Sequence, residues 1–422
     1  MRELGAKLAP PYEINQMTQH PPGYYAAMAV PTRVLNLIDW SPASALVALR
    51  MLSAAVLLPL PYLLFRIARS LGATDPMAAA ASFLPLAIPQ FTYLGGTVTN
   101  DSLLVTLGAA VAFLSLEVAK GDTRIRRSVS LGLVLTAALL VKGLALALIP
   151  MVVLAYVLCA RRVGWGPTLR PAATGVACSL VGLAWWVRNV FVYGTFQPSG
   201  YPKWFIDDLP VGDLSFGSWL GQFLDMFART FWLNYGWVEM NPPHWTYYGA
   251  TVLLLGLLIL GVLRLKKQWA LAAMLQLCWI PVVLLVLYGG MESWGQTATV
   301  RGAQGRYAFA GVAALLAVVA VALQPRLARW FKVAAAIPLV SCAVAIGALQ
   351  RGVWHFYAGN NVWARIEAMG SWSPLRLRIL ALLLVLAAMA AAAGAVSVWL
   401  SSRRATSTSN LSGETIPARI SS

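Results

Sequence analysis

The sequence predicts an all-α, polytopic transmembrane helical bundle, and three observations carry that prediction. The 422-residue chain is 59% hydrophobic and only 11% charged, with a mean hydropathy of +0.69, whereas soluble domains carry about 25% charged residues. Apolar windows of roughly 20 residues recur from residue 42 onward, each long enough to cross about 30 Å of hydrocarbon. The alternating pattern of a membrane barrel is missing, so helices must satisfy the backbone groups inside lipid. The first 20 residues are polar and hold no apolar stretch of the kind a cleavable signal peptide carries.

The elements follow in order. Residues 1–41 read as an external N-terminal segment. Its 20–38 stretch opens with His20-Pro21-Pro22-Gly23-Tyr24-Tyr25, where two prolines fix φ, remove two donors and so begin a helix or a turn. Pro31, Arg33 and Asp39 interrupt its apolar face, which predicts a re-entrant or interfacial helix rather than a span. About eleven spans are expected thereafter: roughly 42–69, 76–95, 101–119, 126–141, 143–161 and 169–192 in a first block (42–192), then 245–264, 268–289, 305–323, 331–350 and 375–400 in a second (245–400). Between the blocks lies an external loop, 193–244, with Trp204, Trp219, Trp232 and Trp237 and an amphipathic segment near 216–235. Its aromatic surface suits membrane anchoring and sugar stacking equally. The Ser- and Thr-rich tail 401–422 is expected to be disordered and cytoplasmic.

The formal charge of +17 would suggest nucleic acid in a soluble protein, but its distribution points elsewhere. One set of alternate loops holds Arg66 and Arg69; Lys120, Arg124, Arg126 and Arg127; Arg161, Arg162 and Arg170; Arg264, Lys266 and Lys267; Arg326, Arg329 and Lys332; and Arg403 and Arg404. The other set holds Asp101, Asp207, Asp208, Asp213, Asp225, Glu239, Glu292 and Glu367. By the positive-inside rule the first set is cytoplasmic and the second external. The N-terminus is then external and the C-terminus cytoplasmic, which raises the expectation that a further span precedes Met1. Cys159, Cys178, Cys278 and Cys342 fall in or beside apolar runs without metal-ligand spacing and read as small hydrophobes.

Polar residues at the external ends of the spans are the candidates for chemistry. Lys142 interrupts an apolar run and is either a snorkelling helix-end lysine or a cation facing a phosphate. Asn100-Asp101 opens a span after a short external turn, either as a helix cap or as a carboxylate placed to act as a base. Trp185-Trp186-Val187-Arg188 closes the sixth span; its aromatics suit an interface belt, and Arg188 can hold a phosphate bidentately. Arg301 and Arg306, with Gln304-Gly305 and Tyr307, put two cations on the side that the charge asymmetry otherwise leaves poor in them.

Taken in order, His20-Pro21-Pro22-Gly23-Tyr24-Tyr25, Ala48-Leu49-Arg50-Met51-Leu52-Ser53, Asn100-Asp101-Ser102-Leu103, Lys142, Arg188-Asn189 with Tyr193-Gly194, and Gln304-Gly305-Arg306-Tyr307 resemble the GT-C superfamily of membrane glycosyltransferases. The resemblance is to the bacterial branch related to protein mannosyltransferases and lipopolysaccharide-core transferases, and it covers roughly residues 15–325. It implies an enzyme of the bacterial inner membrane that takes a sugar from a polyprenyl-phosphate donor on the external face. The sugar would pass to a hydroxyl of an envelope glycan, lipid or protein. The cations Lys142, Arg188, Arg301 and Arg306 would meet the phosphate, with His20, Tyr24, Tyr25, Asn100 and Tyr307 lining the substrate. The family's base is an acid upstream of the His-Pro-Pro element, where this chain offers Glu3 and Glu13. Glu13 is therefore the first candidate and Asp101 the second, and the resemblance equally allows an acid before Met1 or an inactive copy. No cofactor is evident, and the divalent metal that assists some relatives finds no ligand cluster in the sequence. Two other functions stay open at this point: a noncatalytic relative that binds a polyprenyl lipid, and a lipid-linked-sugar transporter. A transporter would usually show internal repeats or midplane helix breaks.

Overall fold

The computed structural model describes residues 20–196, 198, 215–236, 239–300, 302–324 and 334–412. Among them every regular element is a helix, and nine helices are long and apolar enough to cross a membrane. Their outward faces are apolar: Val181, Val252, Leu253, Leu382 and Val385 are all more than half exposed. Such a surface suits lipid rather than water, and the protein is a multi-pass membrane protein.

Two of the expected spans take a different form. The 76–95 stretch is two seven-residue helices, Asp75–Ala81 and Pro89–Gly95, joined through a 3-10 turn at Leu84–Ala87. Pro85 and Pro89 remove donors and crowd the preceding turn, so one continuous helix cannot form. The stretch nevertheless joins both ends of the bundle. At one end the Thr74 N–H donates to Gln324 Oε1 (2.8 Å), and at the other Gln90 Oε1 accepts from the Asn234 N–H (2.7 Å). The 126–141 stretch is the helix Ile125–Val141 of 17 residues, about 25 Å long at 1.5 Å per residue. It too joins the ends, from the Asp122 turn to Lys142.

Among the described residues the two sets of loops gather at opposite ends. At the basic end Lys120 donates to Ser70 Oγ (2.7 Å) and Ser70 to Glu117 (3.0 Å), while Arg264 caps the carbonyls of Ala322 and Gln324. The opposite end holds Asp101, Lys142, Asn234 and Gly305. Between them, the helices Asn100–Ala119 and Val312–Leu323 form the centre of the core, buried along most of their length.

The helix Ile125–Val141 and the long helix Trp165–Tyr193 meet backbone to backbone. A Cβ on Gly132 would lie 2.5 Å from the Gly175 carbonyl oxygen, and one on Gly182 would lie 2.9 Å from Leu139. This is the small-residue seam by which membrane helices approach closely.

At the N-terminal side, Gly23–Val34 is a helix of 12 residues, too short to cross. It buries Tyr24 and Met28 and exposes Val30 and Val34. In the connection between the blocks, Phe216–Trp232 is a helix capped by Ser215. The last helix, Leu377–Ser412, corrects the expectation of a disordered tail starting at 401. Neither Gly nor Pro occurs between Ala395 and Ser412, and Arg403 stacks 3.7 Å from the Trp399 ring across one turn. Glu13 and Arg301 lie outside the described residues.

Candidate functional site

The site is built around a buried ion pair. Lys142 follows the last residue of Ile125–Val141, with extended backbone (φ −160°, ψ 146°) before the 3-10 turn Gly143–Leu148. Its Nζ lies 2.5 Å from Asp101 Oδ1, and the two side chains are 9% and 6% exposed. Asp101 is available for this because it does not cap its helix. Thr99 does, its Oγ1 accepting from the Asp101 N–H at 3.3 Å, where the sequence had offered Asn100 or Asp101. Ser53, from the Arg-Met-Leu-Ser motif, donates to Ser102 Oγ (3.3 Å) and fixes the helix start from the side.

Two further motifs close on this pair. Gly23 presses against the end of Ile125–Val141, where a Cβ would lie 2.5 Å from the Leu140 carbonyl oxygen. Any side chain there would push the His-Pro-Pro element away from Lys142. Burial, then Lys142, lowers the His20 pKa, with Asp101 opposing, which favours the neutral ring. Burial raises the Tyr24 phenol. Ser53 and the Thr99 backbone are near enough to pull it down, yet neither meets hydrogen-bond geometry with its Oη. Burial likewise raises Tyr25, followed by Tyr24 and Asp101, and the two tyrosine rings meet edge to face at 5.6 Å.

From the other side comes Gln304-Gly305-Arg306-Tyr307. The Gly305 N–H donates to Thr230 Oγ1 (2.7 Å), which ties the segment to the helix Phe216–Trp232. Lys142 Nζ stands 4.7 Å from the centre of the Tyr307 ring and Arg306 Cζ 5.9 Å from it. Three buried donors here, Tyr24 Oη, Asn100 Nδ2 and Arg306 Nε, have no acceptor among the described residues. Buried donors normally find partners, so the locus is rich in donors and short of acceptors.

Of the residues singled out in the sequence, His20, Tyr24, Tyr25, Asn100, Asp101, Lys142, Arg306 and Tyr307 come together. Arg188 does not join them through any contact among the described residues. It lies over Trp185 (5.0 Å) and Tyr193 (5.7 Å) and donates to Asn189 Oδ1 (3.3 Å). Among the described residues no group of three or more His, Cys, Asp or Glu side chains is arranged to hold a metal. Sequence reasoning missed Thr99 and Thr230, whose hydroxyls position the site without touching its charges. It also missed a cluster on the other face of Phe216–Trp232. There Tyr247 Oη bonds Asp225 and His244, His244 Nδ1 lies 3.2 Å from Asp225, and Arg229 Nε lies 3.5 Å from it. The sequence separation of Asp225 and His244 gave no signal of this.

Residues 6–316, which enclose the whole site, match the model of a family described as "Predicted membrane protein (DUF2142)". The chain belongs to the DUF2142 family. No curated protein matches it. Among solved structures, this DUF2142 protein is similar to ArnT from Cupriavidus metallidurans in the apo state, at 16% identity and a TM-score of 0.48. It is similar as well to the same protein bound to undecaprenyl phosphate, at 17% identity and a TM-score of 0.45. The alignments cover 91% of the DUF2142 chain and 65% and 66% of the two ArnT chains.

Proposed function

We propose that the protein is a membrane glycosyltransferase of GT-C type, moving a sugar from a polyprenyl-phosphate donor to a hydroxyl of an envelope glycan, lipid or protein. The observation that supports this reading is the buried Lys142, which shares the Tyr307 ring with Arg306 and is flanked in the chain or in space by buried donors on Tyr24, Asn100 and Arg306 that have no acceptor among the described residues. A phosphate is rich in acceptors and charged, and it would satisfy Arg306, Asn100 and Tyr24 together with Lys142. The apolar outer faces of the helices would hold the isoprenoid tail. By the charge of the loops the site end faces outward from a bacterial inner membrane, with the N-terminal segment outside and the C-terminus in the cytoplasm.

In the reaction the acceptor oxygen attacks C1 of the sugar, the bond from C1 to the phosphate oxygen breaks, and a base takes the acceptor proton. Asp101 is bound to Lys142, so we assign the base to the N-terminal segment, with Glu13 as its candidate. That same ion pair favours a second reading, in which the protein binds a polyprenyl phosphate without turning it over, because Asp101 is the site's acid among the described residues and is already engaged.

Membranes containing the full chain, offered a panel of polyprenyl-phosphate sugars, decide between the two. Transfer from at least one donor is expected, and Arg306→Ala or Lys142→Gln should lower it about 100-fold or more, as loss of a group that stabilises developing charge does. Glu13→Gln with full activity would remove Glu13 as the base. Binding of the lipid without transfer from any sugar would establish the noncatalytic reading.

A further inference from the structure

Building on that reading, we infer that Asp101 matches the site's charge to a phosphodiester donor and helps expel the phosphomonoester product. Asp101 is not needed to start its helix, since Thr99 caps it. Burying an ion pair costs desolvation that a neutral pair would avoid, so its presence at 6% exposure asks for a role beyond stability.

The charges around the pair can be counted among the described residues. Lys142 and Arg306 share the Tyr307 ring, and Asp101 binds Lys142. From the helix Gly23–Val34 and the residues before it, His20 and Tyr25 face the pair and Tyr24 lies behind them against Ser53 and Thr99, and their environment favours the neutral form of each. Two cations and one carboxylate leave one net positive charge. A sugar linked to a lipid through a phosphodiester carries one negative charge, and Asp101, by cancelling one of the two cations, lowers the pull that these residues exert on a second one. Transfer forms the bond from C1 to the acceptor oxygen, breaks the bond from C1 to the phosphate oxygen and sends the acceptor proton to the base. The leaving lipid monophosphate then carries about −1.5 to −2 near pH 7. The added charge arises beside a carboxylate held in a dry environment, where repulsion is strong. Asp101 therefore biases the site toward donor over product.

Two lipids with the same polyprenyl tail test this, the monophosphate and its methyl phosphodiester, titrated into full-length protein in nanodiscs. Relative to Asp101→Asn, wild type should favour the diester over the monoester near pH 7.5. Lowering the pH to about 5.5, below the monoester's second ionisation near 6, should close that gap. A change in the charge of His20 acts on both lipids and largely cancels in the ratio. Asp101→Asn should shift the ratio toward the monoester by about 10-fold, one unit charge at this range in a partly desolvated site, and should slow repeated turnover through retained product. A ratio identical in wild type and Asp101→Asn overturns the inference, and so does a wild-type ratio that is constant from pH 7.5 to 5.5. The pH series needs no variant, so a constant ratio still overturns the inference even if Asp101→Asn fails to fold. Failure of wild type to bind either lipid would instead overturn the polyprenyl reading itself.

Discussion

Two aspartates mark the opposite ends of the bundle, and their surroundings differ in kind. At the basic end Asp122 accepts from Arg124 through both oxygens (2.8 and 2.5 Å) and from Arg127 (3.0 Å). Arg124 is largely in solvent, with 73% of its side chain exposed. At the other end Asp101 has one cation, Lys142, and both are buried. The first arrangement is redundant and reaches solvent through Arg124, so losing one arginine leaves the carboxylate, itself 13% exposed, with a second partner. The second is single and dry, and neither charge can be removed without stranding the other. Topological charge and site charge are thus told apart by burial and redundancy more than by residue type.

The largest effect that tests this contrast is Lys142→Ala, which strands a buried carboxylate at a cost of about 3–5 kcal/mol. The double variant Lys142→Ala/Asp101→Asn should recover most of that loss in thermal unfolding of the purified protein. A single variant as stable as the double would show that the pair is not coupled.

A smaller effect concerns His20. Burial and Lys142 hold its pKa below the ordinary value, so as pH falls below about 6.5 the unfolded chain takes up the proton first. Stability should therefore drop on the acid side of that value until the folded ring also protonates. His20→Gln should flatten this part of the profile, and an unchanged slope would place the titration elsewhere.

The smallest effect belongs to Asp122. The Arg124 hydrogen bond, above all, holds its carboxyl well below the usual carboxylate range. The stability it contributes is complete above the ordinary value of about 4 and is lost only as pH falls through the depressed one. Asp122→Asn should accordingly lower stability by a similar small amount at every pH from 8 to 5 and leave transfer unaltered. A loss as large as that of Lys142→Ala would erase the distinction between the two ends.

Much of this architecture was legible in the sequence because lipid imposes simple rules. Long apolar runs had to be helices, and alternating basic loops had to sort to two ends. Lys142, Asn100-Asp101 and Gly305-Arg306-Tyr307 stood out as polar residues beside apolar spans. The partnerships were not legible, because they cross the chain. Lys142 and Asp101 are 41 residues apart, and Gly23 meets Leu140 through space. Arg188 matched the pattern of a phosphate ligand, but the aromatic rings of its own helix hold it. Hydropathy also masked a local signal: Pro85 and Pro89 stand in plain view, yet the 76–95 window reads as one span because its apolar content is high. The helix beyond residue 400 was hidden by Ser and Thr, whose weak propensity a preceding long helix can overcome.

The glycine seam between Ile125–Val141 and Trp165–Tyr193 has a mechanical consequence for the site. Sliding either helix along the other would drive Cβ-bearing residues into a gap that admits only hydrogen at Gly132 and Gly182. The two helices must therefore move as one beam, and Lys142 is mounted on the end of it. The other cation, Arg306, rides on the 3-10 segment Gly305–Gly311, which the Gly305 N–H ties to Thr230 and which packs closely at Gly305 on Phe227, at Ala310 on Gly108 and at Gly311 on Cys278. A ligand clamped between them meets a rigid backbone on both sides, so accommodation of different head groups falls to the long side chains of Lys142 and Arg306 themselves.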